Sequence, residues 1–375
     1  MLIGFLSKLE IYLPLRRNRQ LPCNHKAMKL IRMPLPLKLG PVPLQAETTY
    51  VLEDSNAGYL LQFPGVDIRK IHVERPRLDK DSLLVSRPGG FGDLLFLTPS
   101  LRALRAQRPE ARIGVSAAEK YHDALTAFAA AHRIELLPYP LTLAEWQQWD
   151  EHANLENEIE FGPDSQALHA VDLFAKCIGV DLTEGQHIEF KPAPSAVAAM
   201  RSRFPKTVKR VAVQLSASAP ARSYPRHLFQ PMVQGLVDLE VEVVFVGSPG
   251  ELNLPSQPGY INLTAEQPAL SFAESCAVLA DCDAVIAPDS AICHVAAAMG
   301  LPVVALYAAF PWQLRTAYQP TVRALTGHAP CAPCFHHSRG GQAFPEGAPC
   351  NTAGYCVAMA NIEPQRIVAE VKKRL

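Results

Sequence analysis

The sequence predicts an α/β protein with two doubly wound domains, and three observations support this prediction. The chain has 375 residues, which fits two domains of about 100–200 residues better than one. Short apolar runs alternate with segments of helical periodicity from Ser82 to Leu137 and again from Arg210 to Tyr307. This alternation is typical of parallel sheets whose strands are joined by helices. The content of 48% hydrophobic and 19% charged residues is that of a well-packed globular protein.

Residues 1–80 are predicted to form an extension that is irregular at first and then rich in strands. Scattered prolines interrupt residues 1–45 and exclude a long element there. Short strands are predicted at Thr48–Leu52 and Tyr59–Phe63, joined by the turn-forming residues Asp54-Ser55-Asn56.

The start of the chain is strongly basic, although the formal net charge of the whole chain is zero. Residues 1–40 contain one acid, Glu10, and eight basic residues: Lys8, Arg16, Arg17, Arg19, Lys26, Lys29, Arg32 and Lys38. This basic arm fits peripheral contact with lipid headgroups, binding to nucleic acid, or a solvated tail.

The sequence predicts a cytoplasmic protein, peripheral at the inner face of the membrane if the basic arm binds lipid. No apolar run approaches the roughly 20 residues that span a bilayer. Met1–Leu15 lacks the cleavage site of a signal peptide, and Met28 is an alternative start. The nine cysteines do not form a small secreted framework, so reduced thiols are expected.

Residues 81–195 are predicted to form the first α/β domain, which opens with a βαβ unit. Its predicted strands are Ser82–Ser86, Arg112–Ser116 and Ile134–Leu137, and its predicted helices are Leu94–Arg108, Tyr121–Ala131 and Gln166–Gly179. The polar stretch Leu143–Glu160 fits either a helix over a cleft or an excursion from the fold. The prolines of Lys191–Pro205 indicate the domain boundary.

Residues 196–360 are predicted to form the second, doubly wound domain. Its predicted strands are Arg210–Leu215, Val241–Val246, Ala284–Ala287 and Val303–Tyr307, and its predicted helices are Arg226–Leu239, Ala269–Ala280 and Ala291–Met299. A terminal amphipathic helix, Ile362–Arg374, is predicted within residues 361–375.

The Gly-rich turn Arg87–Asp93 follows the first predicted strand of this α/β region. Ligands bind beyond the carboxyl ends of strands in open parallel sheets, and three glycines allow close backbone approach: Gly89, Gly90 and Gly92. Asp93 fits two interpretations, a helix-capping residue or a catalytic carboxylate. A dinucleotide site is not favoured, because the acid expected about 20 residues later would be Glu110 or Glu119, neither well placed at a strand end.

The loop Ser216–Arg226 follows the first strand of the second domain and is rich in small hydroxyls. Ser216, Ser218 and Arg222 suit an anionic ligand, since hydroxyls donate hydrogen bonds and a guanidinium binds phosphate oxygens. An ordinary loop with solvated arginines explains the same residues.

Two further loops follow strands of the second domain. In Gly247–Glu251, Glu251 fits either a ligand of ribose hydroxyls or an acid at a helix start. In Pro288–Ala291, the helix N-terminus at Ser290 and Ala291 suits a diphosphate, because its backbone N–H groups are free and the helix dipole is positive there. Asp289 and Ser290 fit simple capping residues equally well.

Four cysteines cluster within 26 residues near the end of the chain: Cys331, Cys334, Cys350 and Cys356. The Cys-x2-Cys pair followed by two more cysteines is similar to structural zinc spacing. The second pair is Cys-x5-Cys, so buried or free thiols and disulfides stay open as interpretations.

The segment Leu83–Arg112 (LLVSRPGGFGDLLFLTPSLRALRAQRPEAR) resembles the opening of the ADP-heptose:lipopolysaccharide heptosyltransferases, glycosyltransferase family 9. Asp283–Tyr307 (DAVIAPDSAICHVAAAMGLPVVALY) resembles the nucleotide-sugar motif of the same family. His169–Gly179 and the cysteine cluster resemble further pieces of it. The resemblance covers about residues 81–374, and the family usually begins at the first of these strands, without a counterpart of the extension.

The resemblance implies a GT-B fold, in which two Rossmann-like domains face each other across a cleft and the terminal helix returns to the first domain. It also implies inverting, metal-independent transfer from a nucleotide-diphosphate sugar, without a catalytic cofactor, to a glycolipid or surface glycan. Transferases of modified nucleic acid or protein, and a non-catalytic nucleotide-binding protein of the same fold, are the alternatives.

The resemblance also implies roles for single residues. Asp93 matches the general base of the family, and Glu251 matches the acid that contacts the ribose. Arg222 stands where the family has a phosphate-binding Lys, just before an aromatic-Pro pair. The segment around the phosphates is matched by Ser290, Ala291 and His294, with Ala291 replacing the usual Gly.

Overall fold

The structure is a computed structural model that describes residues 25–39, 42–53, 60, 62–63, 65–183, 185–252, 256–337 and 342–375. The predicted turn Asp54-Ser55-Asn56 and the basic residues Lys8, Arg16, Arg17 and Arg19 lie outside these residues. Met28, the alternative start, lies inside the first described strand.

The strands are β1 (His25–Arg32), β2 (Leu37–Leu39), β3 (Val42–Leu44), β4 (Thr49–Glu53), β5 (Asp67–Glu74), β6 (Ser82–Ser86), β7 (Arg112–Ser116), β8 (Ile134–Leu137), β9 (Leu141–Thr142), β10 (Glu151–Asn154), β11 (Arg210–Val213), β12 (Glu242–Phe245), β13 (Tyr260–Asn262), β14 (Ala284–Pro288), β15 (Val303–Tyr307) and β16 (Val322–Thr326).

The α-helices are α1 (Phe91–Gln107), α2 (His122–Ala131), α3 (Leu143–Trp146), α4 (Glu158–Phe161), α5 (Ala170–Ile178), α6 (Pro194–Arg203), α7 (Phe229–Val237), α8 (Phe272–Leu279), α9 (Ala291–Ala298), α10 (Gln313–Thr316), α11 (Pro349–Ala353), α12 (Val357–Ala360) and α13 (Pro364–Lys372).

The extension forms an antiparallel sheet of order β5-β1-β4-β9, so its last strand comes from the segment after β8. The strand predicted at Thr48–Leu52 is confirmed as β4. The one predicted at Tyr59–Phe63 is wrong, since Leu60 is helical and Gln62 and Phe63 lie in a turn. Strands β1 and β5 were not predicted, because the prolines around β1 flank the strand rather than interrupt it.

The first parallel sheet has the order β10-β6-β7-β8. Strands β6, β7 and β8 have the predicted bounds. Strand β10 lies in the stretch that the sequence left open, because three of its four residues are polar. Its Glu151 is buried, where it accepts hydrogen bonds of 2.7 Å from the backbone N–H groups of Arg77 and Leu78.

The second parallel sheet has the order β13-β12-β11-β14-β15-β16. Counted within this sheet, the order is 3-2-1-4-5-6, the arrangement of doubly wound dinucleotide-binding folds. The predicted strands are confirmed within a few residues, whereas the outermost strands β13 and β16 were missed. β13 has three residues and β16 is only partly buried, so neither gives a strong apolar run.

The two parallel sheets share one contiguous apolar core, and helices α1 and α9 pack against each other. The Phe96 ring of α1 lies 4.5 Å from the His294 ring of α9, centroid to centroid. These two helices follow β6 and β14, so their contact brings the carboxyl ends of both sheets together.

The prediction that the terminal helix packs on the first domain is wrong. Helix α13 packs on α7, and Ile367 and Val371 are fully buried in the core on that face of the second sheet. A Cβ added to Gly235 of α7 would lie 2.9 Å from Val368, so the two helices approach closely. We therefore propose an extension over residues 1–80, a first domain over 81–195 and a second over 196–375 that includes α13.

Ile367→Ala is expected to lower the free energy of unfolding by about 2–5 kcal/mol, because it leaves a cavity in the core beneath α13. Urea unfolding measures the change, with Gln365→Ala on the exposed face of the same helix as the control. Equal stability of the two variants would contradict the packing of α13 on the second domain.

Candidate active site

A cleft of about 730 Å³ lies at the carboxyl ends of the two parallel sheets. Loops after β6, β7 and β10 line one side, and loops after β11, β12, β14, β15 and β16 line the other. The cleft brings together nearly all the residues that the sequence singled out: Gly90, Gly92, Asp93, Ser216, Ser218, Arg222, Glu251, Asp289, Ser290, Ala291 and His294.

The three glycines of the turn have different surroundings. A Cβ at Gly89 would lie 2.5 Å from Asp93 Oδ2 and 2.7 Å from Arg87 Nε, so this glycine leaves room for their contact. A Cβ at Gly90 would meet nothing within 4 Å, and this residue lines the cleft. A Cβ at Gly92 would lie 3.1 Å from His294 Cδ2, so the turn contacts helix α9, which follows strand β14 of the second sheet.

Asp93 is the third residue of α1, and its two carboxylate oxygens differ in their hydrogen bonding. Oδ2 accepts a hydrogen bond of 3.1 Å from the Gly90 N–H and one of 2.6 Å from Arg87 Nη2. Oδ2 therefore caps the backbone N–H of Gly90, but the N-cap residue itself is Gly90 and not Asp93 as the sequence suggested. Oδ1 has no hydrogen-bond partner among the described residues, and the side chain is 23% exposed in the cleft. The geometry thus leaves one carboxylate oxygen available to a ligand.

Arg87 is buried behind Asp93 and holds it in place. Its guanidinium donates to Asp93 and to Glu160 at 2.6 Å each, and to the Leu155 carbonyl at 2.8 Å. Burial acts against the charge of Arg87, but the two carboxylates outweigh it and raise its pKa. Burial likewise acts against the charge of Glu160, and Arg87 outweighs it and lowers the pKa of that carboxyl. Arg87 and Glu160 are therefore both charged near neutral pH.

Asp289 is a buried carboxylate that orders the second side of the cleft. Its Oδ1 lies 3.3 Å from His294 Nε2, and Arg222 Nη1 donates to its backbone carbonyl at 2.9 Å and to Oδ2 at 3.3 Å. Burial works against its charge, but the hydrogen bond from His294 and the charges of Arg222 and Arg315 hold the pKa of Asp289 well below its usual range. Asp289 is therefore an ionised anchor for these cationic and polar groups.

Helix α9 begins at the cleft without a side-chain cap. Ser290 Oγ donates to Gln214 Oε1 at 2.5 Å instead of capping the helix, so the capping interpretation of Ser290 and Asp289 is wrong. The first N–H groups of a helix have no intrahelical acceptor, and Ala291 and Ile292 both line the cleft. These N–H groups and the positive end of the dipole make an anion-binding site.

Glu251 joins the ends of β11 and β12. Its Oε1 accepts from the Ser216 N–H at 3.2 Å and its Oε2 from the Ser248 N–H at 3.0 Å. Glu251 lies in a bend, so its interpretation as an acid at a helix start is wrong. Ser218 Oγ accepts from Arg222 Nη2 at 2.5 Å, which makes the arginine part of an ordered network rather than a solvated side chain.

Several polar residues that line the cleft were not singled out from the sequence, among them Glu160, Gln214, Arg315 and His337. Glu160 and Gln214 have partners that are distant in the chain, since Glu160 is 73 residues from Arg87 and Gln214 is 76 residues from Ser290. Burial lowers the pKa of His337 to about 4. Each of the four follows a parallel strand, which is the signal that could have found them. Glu160 and His337 were missed because β10 and β16 were not recognised as strands.

The four clustered cysteines line one small cavity of about 10 Å³ on the second domain. Burial, followed by the nearby thiol of Cys350, raises the pKa of Cys331. Within the described residues no group of three metal-ligating side chains is arranged to hold an ion, and no cysteine forms a disulfide. The disulfide interpretation is wrong for these cysteines. Structural zinc stays a prediction, which metal analysis of the purified protein checks.

Among the described residues, no helix combines the length and the apolar character that crossing a bilayer requires.

Comparison with known proteins supports the resemblance seen in the sequence. Residues 158–342 match the family model described as "Glycosyltransferase family 9 (heptosyltransferase)". The chain is 27% identical over 169 residues to lipopolysaccharide heptosyltransferase 2 of Escherichia coli strain K12. That alignment covers 42% of this chain and 43% of the relative, so the chain spans less than half of that relative's length.

Solved structures share the fold. The E. coli ADP-heptose lipopolysaccharide heptosyltransferase II gives a TM-score of 0.55 at 18% identity and covers 78% of this chain and 98% of its own. TibC, a dodecameric iron-containing glycosyltransferase from enterotoxigenic E. coli H10407, gives 0.59 at 13% identity and covers 93% of this chain and 91% of its own. Coverage of 93% reaches into residues 1–80, so the expectation that the extension has no counterpart is wrong. The shared architecture is the GT-B fold.

Proposed function

Since the chain belongs to glycosyltransferase family 9, we propose that it transfers a sugar from a nucleotide-diphosphate sugar to a hydroxyl of lipopolysaccharide or a related surface glycan. A donor of the ADP-heptose type is supported by the TibC structure, which is described as a complex with ADP-D-beta-D-heptose. The observation that carries the proposal is the cleft itself, which has a partly exposed carboxylate on one side and an uncapped helix N-terminus on the other.

Asp93 is the proposed general base. Its Oδ1 edge removes the proton of the acceptor hydroxyl as that oxygen attacks the anomeric carbon of the donor. Arg87 keeps Oδ2 fixed, so the carboxylate does not need to reorganise during the reaction. Because the hydroxyl attacks opposite the leaving group in one step, the sugar is transferred with inversion.

The second side of the cleft is proposed to hold the donor. Glu251 and Ser216 are proposed to bind the ribose, and the start of α9 at Ser290 and Ala291 is proposed to bind the diphosphate; all four residues line the cleft. As the bond to the sugar breaks, the leaving diphosphate gains negative charge. Arg222 and the N–H groups of α9 stabilise that charge in place of a metal ion.

The donor is expected to be an ADP-linked sugar, and thermal shift with a panel of nucleotides tests this. ADP is expected to raise the melting temperature, because ligand at 100 times its Kd adds about 2.7 kcal/mol to stability. GDP, UDP, CMP and dTDP are the comparison ligands. Stabilisation by another nucleotide instead of ADP would mean that the donor carries that nucleotide. Stabilisation by none of them would contradict the proposal that the protein is a transferase.

A further inference from the structure

Arg315 is a buried cation that forms no direct ion pair with any of the described residues. Its side chain lies on α10 after β15, is 4% exposed and lines the cleft. Nη1 donates to the Leu314 carbonyl at 3.0 Å, and the guanidinium carbon lies 5.3 Å from the centroid of the Phe310 ring. In the part of the chain that the structure describes, no carboxylate oxygen lies within 4.0 Å of this guanidinium.

The other buried arginines are all paired. Arg87 contacts two carboxylates at the edge of the first sheet, and Arg210 lies 2.5 Å from Glu242. Arg222, the predicted phosphate ligand, already donates to Asp289 and Ser218. A buried charge without a direct ion pair is costly, so among the guanidinium groups that line the cleft Arg315 is the one that most needs an anionic ligand.

The strand order places Arg315 at one end of a row of loops. Across the second sheet, the row runs from Glu251 after β12 to Ser216 after β11, to Ser290 after β14 and to Arg315 after β15. On the proposed function, the first two hold the nucleoside and the third holds the diphosphate. The next position along the row therefore faces the end of the diphosphate that carries the sugar.

We propose that Arg315 binds the distal phosphate of the donor, the one bonded to the sugar, and stabilises it as the leaving group. This inference rests on the proposed function, and it makes Arg315 the second cation, after Arg222, that stabilises the leaving diphosphate. As the acceptor oxygen bonds to the anomeric carbon, the bond from that carbon to the phosphate oxygen breaks, and its electron pair stays on the diphosphate. Arg222 already contacts Asp289 at 3.3 Å, whereas Arg315 acts on that carboxylate only from more than 4.0 Å and keeps its guanidinium available for the new charge.

Binding of ADP and AMP to Arg315→Gln tests the proposal, because the two nucleotides differ by the phosphate that Arg315 is proposed to hold. We expect the Kd for ADP to rise about tenfold, as for the loss of one charge-assisted hydrogen bond, and the Kd for AMP to change less than twofold. Inorganic pyrophosphate is expected to compete with ADP on the wild-type protein and about tenfold less well on the variant. Arg323→Gln, which removes an exposed arginine on β16, is the matched control.

The outcomes separate this inference from the function on which it rests. Equal loss of ADP and AMP affinity, or no loss of either, would overturn the role of Arg315 while the wild-type protein still binds ADP. A normal ADP affinity with a raised KM for the acceptor would assign Arg315 to an acidic acceptor group instead. If the wild-type protein binds no nucleotide, the proposed function itself fails. Arg315→Lys, which keeps the charge and loses the planar fork, gives the same comparison if the Gln variant does not fold.

Discussion

Asp93→Asn is expected to lower kcat for sugar transfer by about 10²–10⁴-fold, because an amide does not accept the acceptor's proton. The Asn carbonyl still accepts from the Gly90 N–H, so the start of α1 is retained. The Kd for the donor nucleotide is expected to stay within about twofold, since the donor groups lie on the other sheet. Steady-state kinetics together with nucleotide titration measure the two effects.

Asp123→Asn is the matched control for this prediction. Asp123 is also an acid in the first turn of a helix, α2, but it is exposed and does not line the cleft. Its substitution is expected to leave kcat unchanged. Full activity of Asp93→Asn would contradict its role as general base. A wild-type protein that binds the nucleotide and transfers no sugar would favour a nucleotide-binding protein without catalysis.

Arg87→Leu is expected to lower the free energy of unfolding by about 3–5 kcal/mol, because it leaves two carboxylates without their buried partner. Transfer should fall as well, since Oδ2 of Asp93 is no longer held. Urea unfolding gives the stability, and the activity of the folded fraction gives the second effect. Arg69→Leu, which breaks an exposed pair with Asp67, is expected to change neither.

The pH dependence of stability provides a second test of the Arg87 pair. The pKa of Glu160 is lowered in the folded state, so its stabilising effect is complete above the unfolded pKa of about 4.3 and disappears as the pH falls through the folded pKa. Wild-type protein should therefore lose more stability than Arg87→Leu on acidification below about pH 4.3. Parallel pH curves for the two proteins would contradict the ion pair.

The parallel sheets were predictable because their strands are buried on both faces. β6, β14 and β15 are completely buried and appear in the sequence as continuous apolar runs. The loops that follow them are consequently recognisable as ligand loops, which is why Asp93 and Ser290 were found. Strand β10 gave no such signal, because its polar side chains are satisfied by partners that the sequence does not reveal.

The arrangement within the cleft was not predictable from sequence, since it depends on pairs that are distant in the chain. The Arg87–Glu160 contact needs the register of β10 beside β6, and the Arg222–Asp289 contact needs β11 beside β14. The terminal helix gave an amphipathic pattern, but such a pattern does not say which neighbour covers the apolar face. The prediction of a helix at Ile362–Arg374 was therefore confirmed, whereas the prediction that it packs on the first domain was wrong.

The anomeric configuration of the product tests the account most directly. NMR of the glycan formed from ADP-D-beta-D-heptose and a lipopolysaccharide core that lacks heptose is expected to show the configuration opposite to that of the donor. Inversion is the outcome of one attack assisted by Asp93 across the cleft. A product with retained configuration would contradict that mechanism, and failure of this pair to react while the nucleotide still binds would contradict the proposed acceptor.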